Sequence, residues 1–141
     1  MHVTRCFGDD GGGPMKAAAT ALLLLILVGG LVQLALGLSA WAGPGLSLVP
    51  VHMLLGTVLV LALWALSALG LASRIPVGMG VAGFALGAIV LVYGMAQEAV
   101  LPGGLHWLAQ VLHLLLGLSL IGLGLRLGLQ VRNRSRIPSV A

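Results

Sequence analysis

The sequence predicts an all-α integral membrane protein: a four-helix bundle built from two two-helix repeats, with the N and C termini in the cytoplasm. Three observations predict it. Of the 141 residues 60% are hydrophobic and only 7% are charged, with a mean hydropathy of +1.16, far above that of a water-soluble domain. Four apolar stretches, each near the roughly 20 residues that cross a bilayer, fill most of the chain and leave no room for a soluble domain. Finally, one phrase is written twice, as "HMLLG" from His52 and "HLLLG" from His113, on spans that run in the same direction.

Residues 1–16, "MHVTRCFGDDGGGPMK", are polar, Gly-rich and aperiodic, which predicts a disordered tail. Met15 offers a second start of translation, so no role is assigned to His2 or Cys6. One cysteine forms neither a disulfide nor a thiolate metal site. The first span, 17–38, follows Lys16 as a signal peptide would, but its apolar run is about twice the usual h-region length. Gln33 stands in it between Gly30 and Gly37, which suits a retained, packed helix.

The second span, 50–72, carries His52 near its start. The third, 77–97, has Gly80, Gly83, Gly87 and Gly94 on one helical stripe. Such a stripe lets helices approach closely in lipid, where small residues supply much of the association, or it leaves a groove for a flat ligand. The fourth span, 105–129, holds His106, Gln110, His113 and Arg126 and leads into a basic cytoplasmic tail, 130–141.

The seven basic residues set the orientation. Arg5 and Lys16 precede the first span, Arg74 lies between the second and third, and Arg126, Arg132, Arg134 and Arg136 close the chain. Residues 39–49 and 98–104 contain none, so the positive-inside rule puts both termini and the middle loop in the cytoplasm and the protein, multi-pass, in the cell inner membrane. Charges split among short segments suit lipid headgroups and not nucleic acid. Trp41, Tyr93 and Trp107 fall near the outer ends, as an aromatic belt would.

An ionisable residue within a membrane span is rare and marks a functional candidate facing the bundle interior. Two neutral imidazoles on facing helices can hold a haem iron from both sides. Gly56 and Gly117 each stand one turn after their histidine, where the missing side chain leaves room for the edge of a porphyrin. Internal repeats tend to place a ligand on the axis between them. The predicted cofactor is therefore haem b, with the iron between His52 and His113 in the outer half of the bilayer. His106 is the competing ligand: it shares a face with His113 but lies about 10.5 Å away along the axis, too far for both to bind one iron. The repeat favours His113, and the depth of His52 favours His106. If His113 is the ligand, His106 can reach a haem propionate or a quinone headgroup. Gln33, Gln97 and Gln110 are candidates for hydrogen bonding between helices, with Gln110 turned away from His113, and Glu98 can exchange a proton at the outer mouth. No Walker loop, nucleophile triad, CxxC or HExxH is present.

The stretch "LVQLALGLSAWAGPGLSLVPVHMLLGTVLV", residues 31–60, resembles the helix pair of the heme A synthase family, in which a Gln-x-x-x-Gly-like helix is followed, after a short outer loop, by a haem-ligating His. The resemblance implies a four-helix haem bundle, with His52 and His113 as ligands and Gln33 and Gly37 on the preceding helix. It covers about half of the chain. Full-length family members have eight spans and carry a Glu-x-x-His-Arg motif near a ligand; this chain has four spans and lacks the motif, so haem binding is implied more strongly than oxygenation of a haem methyl group.

The sequence thus predicts a bis-histidine membrane haem protein acting in haem modification, as a heme A synthase-like oxidoreductase, or in electron transfer. One haem does not carry electrons across a whole membrane, so a homo-oligomer or a larger membrane complex is expected. The alternative is a cofactor-free four-helix anchor or assembly subunit whose histidines only join helices. A small transporter or quinone-binding protein has less support, because no charged midplane site or broken helix is present.

Overall fold

The computed structural model describes residues 13–134. Among these residues the chain forms four α-helices and no strand: α1 (Gly13–Trp41), α2 (Val49–Ala72), α3 (Val77–Ala96) and α4 (His106–Arg134). Short 3-10 turns at Leu46–Leu48, Gln97–Ala99 and Gly103–Leu105 lie in the connections. All four helices are long and apolar enough to cross a membrane, so the protein is a multi-pass membrane protein. Large apolar side chains such as Leu24, Val28, Leu54, Val81, Val92 and Leu115 cover the outside, where lipid and not water is their solvent.

The helices outrun the apolar stretches at the charged end. α1 begins at Gly13, so residues 13–16 are helical and not part of a disordered tail; Ser73 Oγ lies 3.2 Å from Met15 Sδ and joins this first turn to the end of α2. α4 continues to Arg134, so residues 130–134 of the predicted tail are helical too. Hydropathy measures how much chain lies in lipid, and backbone hydrogen bonding continues past the bilayer surface. The remainder of both predicted tails, 1–12 and 135–141, lies outside the described residues.

α1 packs on α2 and α4, and α3 packs on the same two helices. Across the diagonals α2 and α4 approach each other, whereas α1 and α3 make no contact among the described residues. The two histidine-bearing helices are therefore the inner pair. Their buried positions correspond: Leu120, Gly124, Leu127, Gly128 and Val131 of α4 each lie 61 residues after Leu59, Leu63, Leu66, Ser67 and Gly70 of α2. Most of the solid core, including Ile26, Leu63, Leu66, Leu127 and Val131, lies toward the end that holds the termini and the tight α2–α3 turn. The half nearer the two longer connections is more open.

Glycines make this packing possible. A Cβ on Gly80, Gly83 or Gly87 would run into Leu71, Ser67 or Trp64 of α2, so the α3 stripe serves close approach to α2. Trp64 Nε1 donates to the Phe84 carbonyl of α3 across the same contact, at 3.1 Å. On the other side of the bundle, Gly124 and Gly128 of α4 receive Ile26 and Leu23 of α1.

The α2–α3 turn is closed by a Schellman arrangement. Ile75 N–H donates to Gly70 O at 3.0 Å and Arg74 N–H to Leu71 O at 3.1 Å, with Ile75 buried against Gly70. The left-handed position falls on Arg74, with φ 56°, where glycine is the unstrained residue. Arg74→Gly is expected to stabilise the bundle by about 1 kcal/mol, read as a higher midpoint of thermal unfolding in detergent. A lower midpoint would show that the guanidinium makes a contribution the turn geometry does not reveal.

Candidate functional site

The structure brings His52 and His113 together. Their ring centroids are 6.1 Å apart, with the planes inclined at 52°. α2 and α4 supply the two rings because these helices form the close diagonal, and His52 and His113 occupy like positions on their buried faces.

Each ring is held from behind by the helix that precedes its own in the chain. Gly37 of α1 leaves the space in which the His52 ring lies: a Cβ there would be 3.2 Å from His52 Cε1 and 3.8 Å from Nδ1. Gly94 of α3 does the same for His113, at 3.1 Å from Cε1 and 3.8 Å from Nδ1. A further side chain from each outer helix fixes the register. Gln33 Nε2 donates to the His52 carbonyl at 2.8 Å. Tyr93 stacks on His113, with centroids 6.2 Å apart and planes 17° apart, and its hydroxyl donates to the Ala109 carbonyl one turn before His113 at 3.2 Å. Tyr93 is thus a half-buried partner of His113 and not a member of an interfacial belt, whereas Trp41 and Trp107 are exposed at the helix ends as predicted.

Among the described residues, no group hydrogen-bonds to the nitrogens of either ring. His52 Nδ1 and His113 Nδ1 are buried without a hydrogen-bond partner, and neither Nε2 makes a hydrogen bond. Buried polar atoms are normally paired, so two such rings side by side are exceptional. Two imidazoles with unpaired nitrogens and centroids 6.1 Å apart are a donor pair that would suit a haem iron. A cluster of three or more His, Cys, Asp or Glu does not occur among the described residues, so a metal here needs its remaining ligands from something other than protein, as a macrocycle provides.

Two cavities of about 250 Å³ each meet at the histidines, and both are lined by Gln33, Leu34, His52, His113 and Gly117. One extends toward the middle of the bundle and is walled by apolar residues such as Leu59, Val90, Leu120 and Ile121. The other extends toward the long connections, where Gln97, Glu98, His106 and Gln110 join apolar residues such as Leu38 and Leu46 in its wall. The space around the histidine pair is therefore mainly apolar on both sides, with a few polar side chains gathered toward the long connections.

The other predicted residues divide as follows. His106 does not pair with His52; its Nδ1 lies 3.3 Å from the Val100 carbonyl, and its side chain lines the cavity toward the long connections. Gln110, predicted to turn away from His113, lines that cavity with it. Gln97 Oε1 and Gln33 Oε1 are buried and unpaired. The glycines of the repeated phrase are not equivalent. Gly117 is open, with nothing within 4 Å of where a Cβ would stand, and lines both cavities. Over Gly56, however, the space is taken by the Gln33 carboxamide, whose Nε2 would lie 2.9 Å from a Cβ. Gly56 thus lets Gln33 reach the His52 carbonyl, and it lines only the inner of the two cavities. Gly56→Ala is expected to break that bond and lower stability by about 1–2 kcal/mol, while Gly117→Ala leaves stability within about 0.5 kcal/mol. Thermal unfolding of the two variants side by side checks this, and equal losses would count against it.

Sequence reasoning missed Gly94 and Tyr93 as partners of His113. The signal was available: Gly37 and Gly94 both stand on the span preceding a histidine, 15 and 19 residues before it. Compared with known protein families, characterised proteins and solved structures, the chain matches none.

Proposed function

We propose that the protein is a b-type haem protein of the membrane, with the haem iron held between His52 and His113. The observation that carries this reading is the pair of unpartnered imidazoles 6.1 Å apart, each seated against a glycine of a neighbouring helix. Bound there, a bis-histidine haem supplies one-electron chemistry. The chain's own residues bind and orient: His52 and His113 hold the metal, Gln33 anchors the α2 backbone beside one ligand, and Tyr93 fixes the plane of the other. Gln110 and Gln97 offer N–H donors for the carboxylates of the ligand at this end, His106 lines the same space, and Glu98 at the mouth is placed to exchange a proton. The placement of the basic residues supports a cell inner membrane orientation with this end outward.

Electron transfer through one haem, or oxidation chemistry on a haem as in the heme A synthase family, both call for a redox partner or a second copy of the chain. The optical spectrum of detergent-purified protein supplied with haem tests the proposal. A Soret band with low-spin bands that sharpen on reduction is the expected result. Their absence at saturating haem would leave the cofactor-free anchor, in which the histidines only join helices.

A further inference from the structure

At the opposite end of the bundle from the histidine cavities, α1 and α4 leave an open groove of about 430 Å³ lined by Lys16, Ala17, Thr20, Ala21 and Leu24 of α1 and Arg132 of α4. Its shape follows from its residues. Ala17 and Ala21 are too small to fill the cleft, Thr20 turns its hydroxyl back onto the Lys16 carbonyl at 2.8 Å, and below them Leu23 packs against Gly128 to hold the two helices together. Two cations from different helices therefore face one cleft. No carboxylate among the described residues balances them, because the sole acidic residue of that set, Glu98, stands at the far end of the bundle. Bringing like charges together is unfavourable without a counter-anion. The floor of the groove continues into Leu24, which is exposed on the lipid-facing side.

We infer that this groove binds the phosphate of an anionic phospholipid, with Lys16 and Arg132 as the phosphate ligands and an acyl chain lying along Leu24. A basic pocket between membrane helices is a recognised setting for acidic headgroups, and Arg pairs with phosphate oxygens through two N–H donors. The lipid is favoured over a free phosphate ion because the cleft joins two cations directly to an apolar, lipid-exposed wall, so one molecule satisfies both. The inference is independent of the haem proposal and uses none of its residues.

The test is thermal unfolding of the full chain in a neutral detergent with added phosphatidylglycerol, phosphatidylcholine or inorganic phosphate, together with native mass spectrometry of lipid retained on purification. Phosphatidylglycerol is expected to raise the unfolding midpoint and to be retained, whereas phosphatidylcholine does neither. Lys16→Ala and Arg132→Ala should each weaken retention by about tenfold or more, while Arg134→Ala, an exposed cation at the same end outside the groove, leaves it unchanged. Loss of retention to the same extent in all three variants would reduce the effect to general surface charge and overturn the site. An equal shift with phosphatidylcholine, or a full shift with inorganic phosphate alone, would overturn the assignment to an anionic lipid. If a variant fails to fold, Lys16→Arg and Arg132→Lys keep the charge: retention within about threefold of the parent supports the site, and loss of binding in Lys16→Arg overturns it.

Discussion

In haem-supplied, detergent-purified protein, His52→Ala and His113→Ala are each expected to abolish the low-spin spectrum, whereas His106→Ala retains it. A metal ligand contributes more than the groups that orient it, and loss of an orienting partner already lowers affinity by about 10–100-fold. Haem occupancy should therefore fall at least that far in either ligand variant. His106 behaves differently because its ring lies against the Val100 carbonyl at the mouth of the cavity toward the long connections, while the His52 ring faces His113 at 6.1 Å. The fold should survive both ligand changes. Both histidines are only half-buried and border cavities, and the fully buried core is built from other residues such as Leu63, Leu66 and Leu127. Size-exclusion profiles and thermal unfolding of the apoproteins check that point. If both variants keep a parent-like low-spin spectrum, the metal is not held by this pair. If no haem binds to the parent and each variant loses only about 0.6–2 kcal/mol, the histidines are helix-joining groups.

Much of this architecture was legible because membrane spans are written in composition. Four apolar stretches gave four helices, and the repeated phrase around His52 and His113 pointed to two positions that the structure sets side by side. Periodicity could say this much because α2 and α4 bury the same face at a spacing of 61 residues. What stayed hidden depends on which neighbour faces which. Gly56 and Gly117 each stand four residues after a histidine, yet one is covered by Gln33 and the other is open, since α1 places a carboxamide on its histidine helix and α3 places the Tyr93 ring. Tyr93 read as an interfacial aromatic because its height in the membrane is legible and its direction around the helix axis is not. The helix ends at Gly13 and Arg134 were hidden for another reason: hydropathy falls at the bilayer surface, but helical hydrogen bonding does not.

The glycine stripe of α3 carries the largest effect expected on the fold. A Cβ at Gly83 would overlap Ser67 Oγ, and the Ser67 Cβ and Leu127 Cδ1 stand only 3.3 Å away. Ser67 is fully buried, and its hydroxyl is tied to the Leu63 carbonyl at 2.9 Å, so turning it aside breaks that bond inside the core. Gly83→Ala then either displaces that hydroxyl or pushes α3 away from α2, at a cost of about 1–3 kcal/mol, and Gly83→Leu should exceed that range. Gly122 supplies the contrast. It is exposed on α4 with nothing within 4 Å, so Gly122→Leu should be tolerated within about 0.5 kcal/mol. The clash is mainly with one oxygen atom, which makes the prediction sharper than a simple loss of packing. Ser67→Ala removes that atom, and its former acceptor, the Leu63 carbonyl, is already within the helical ladder of α2. The double variant Gly83→Ala/Ser67→Ala should therefore be more stable than Gly83→Ala alone, with a favourable coupling of about 0.5–3 kcal/mol by a double-mutant cycle. An additive cycle would mean that α3 is held off α2 by something other than the Ser67 hydroxyl, and that the stripe matters for helix propensity and not for close approach.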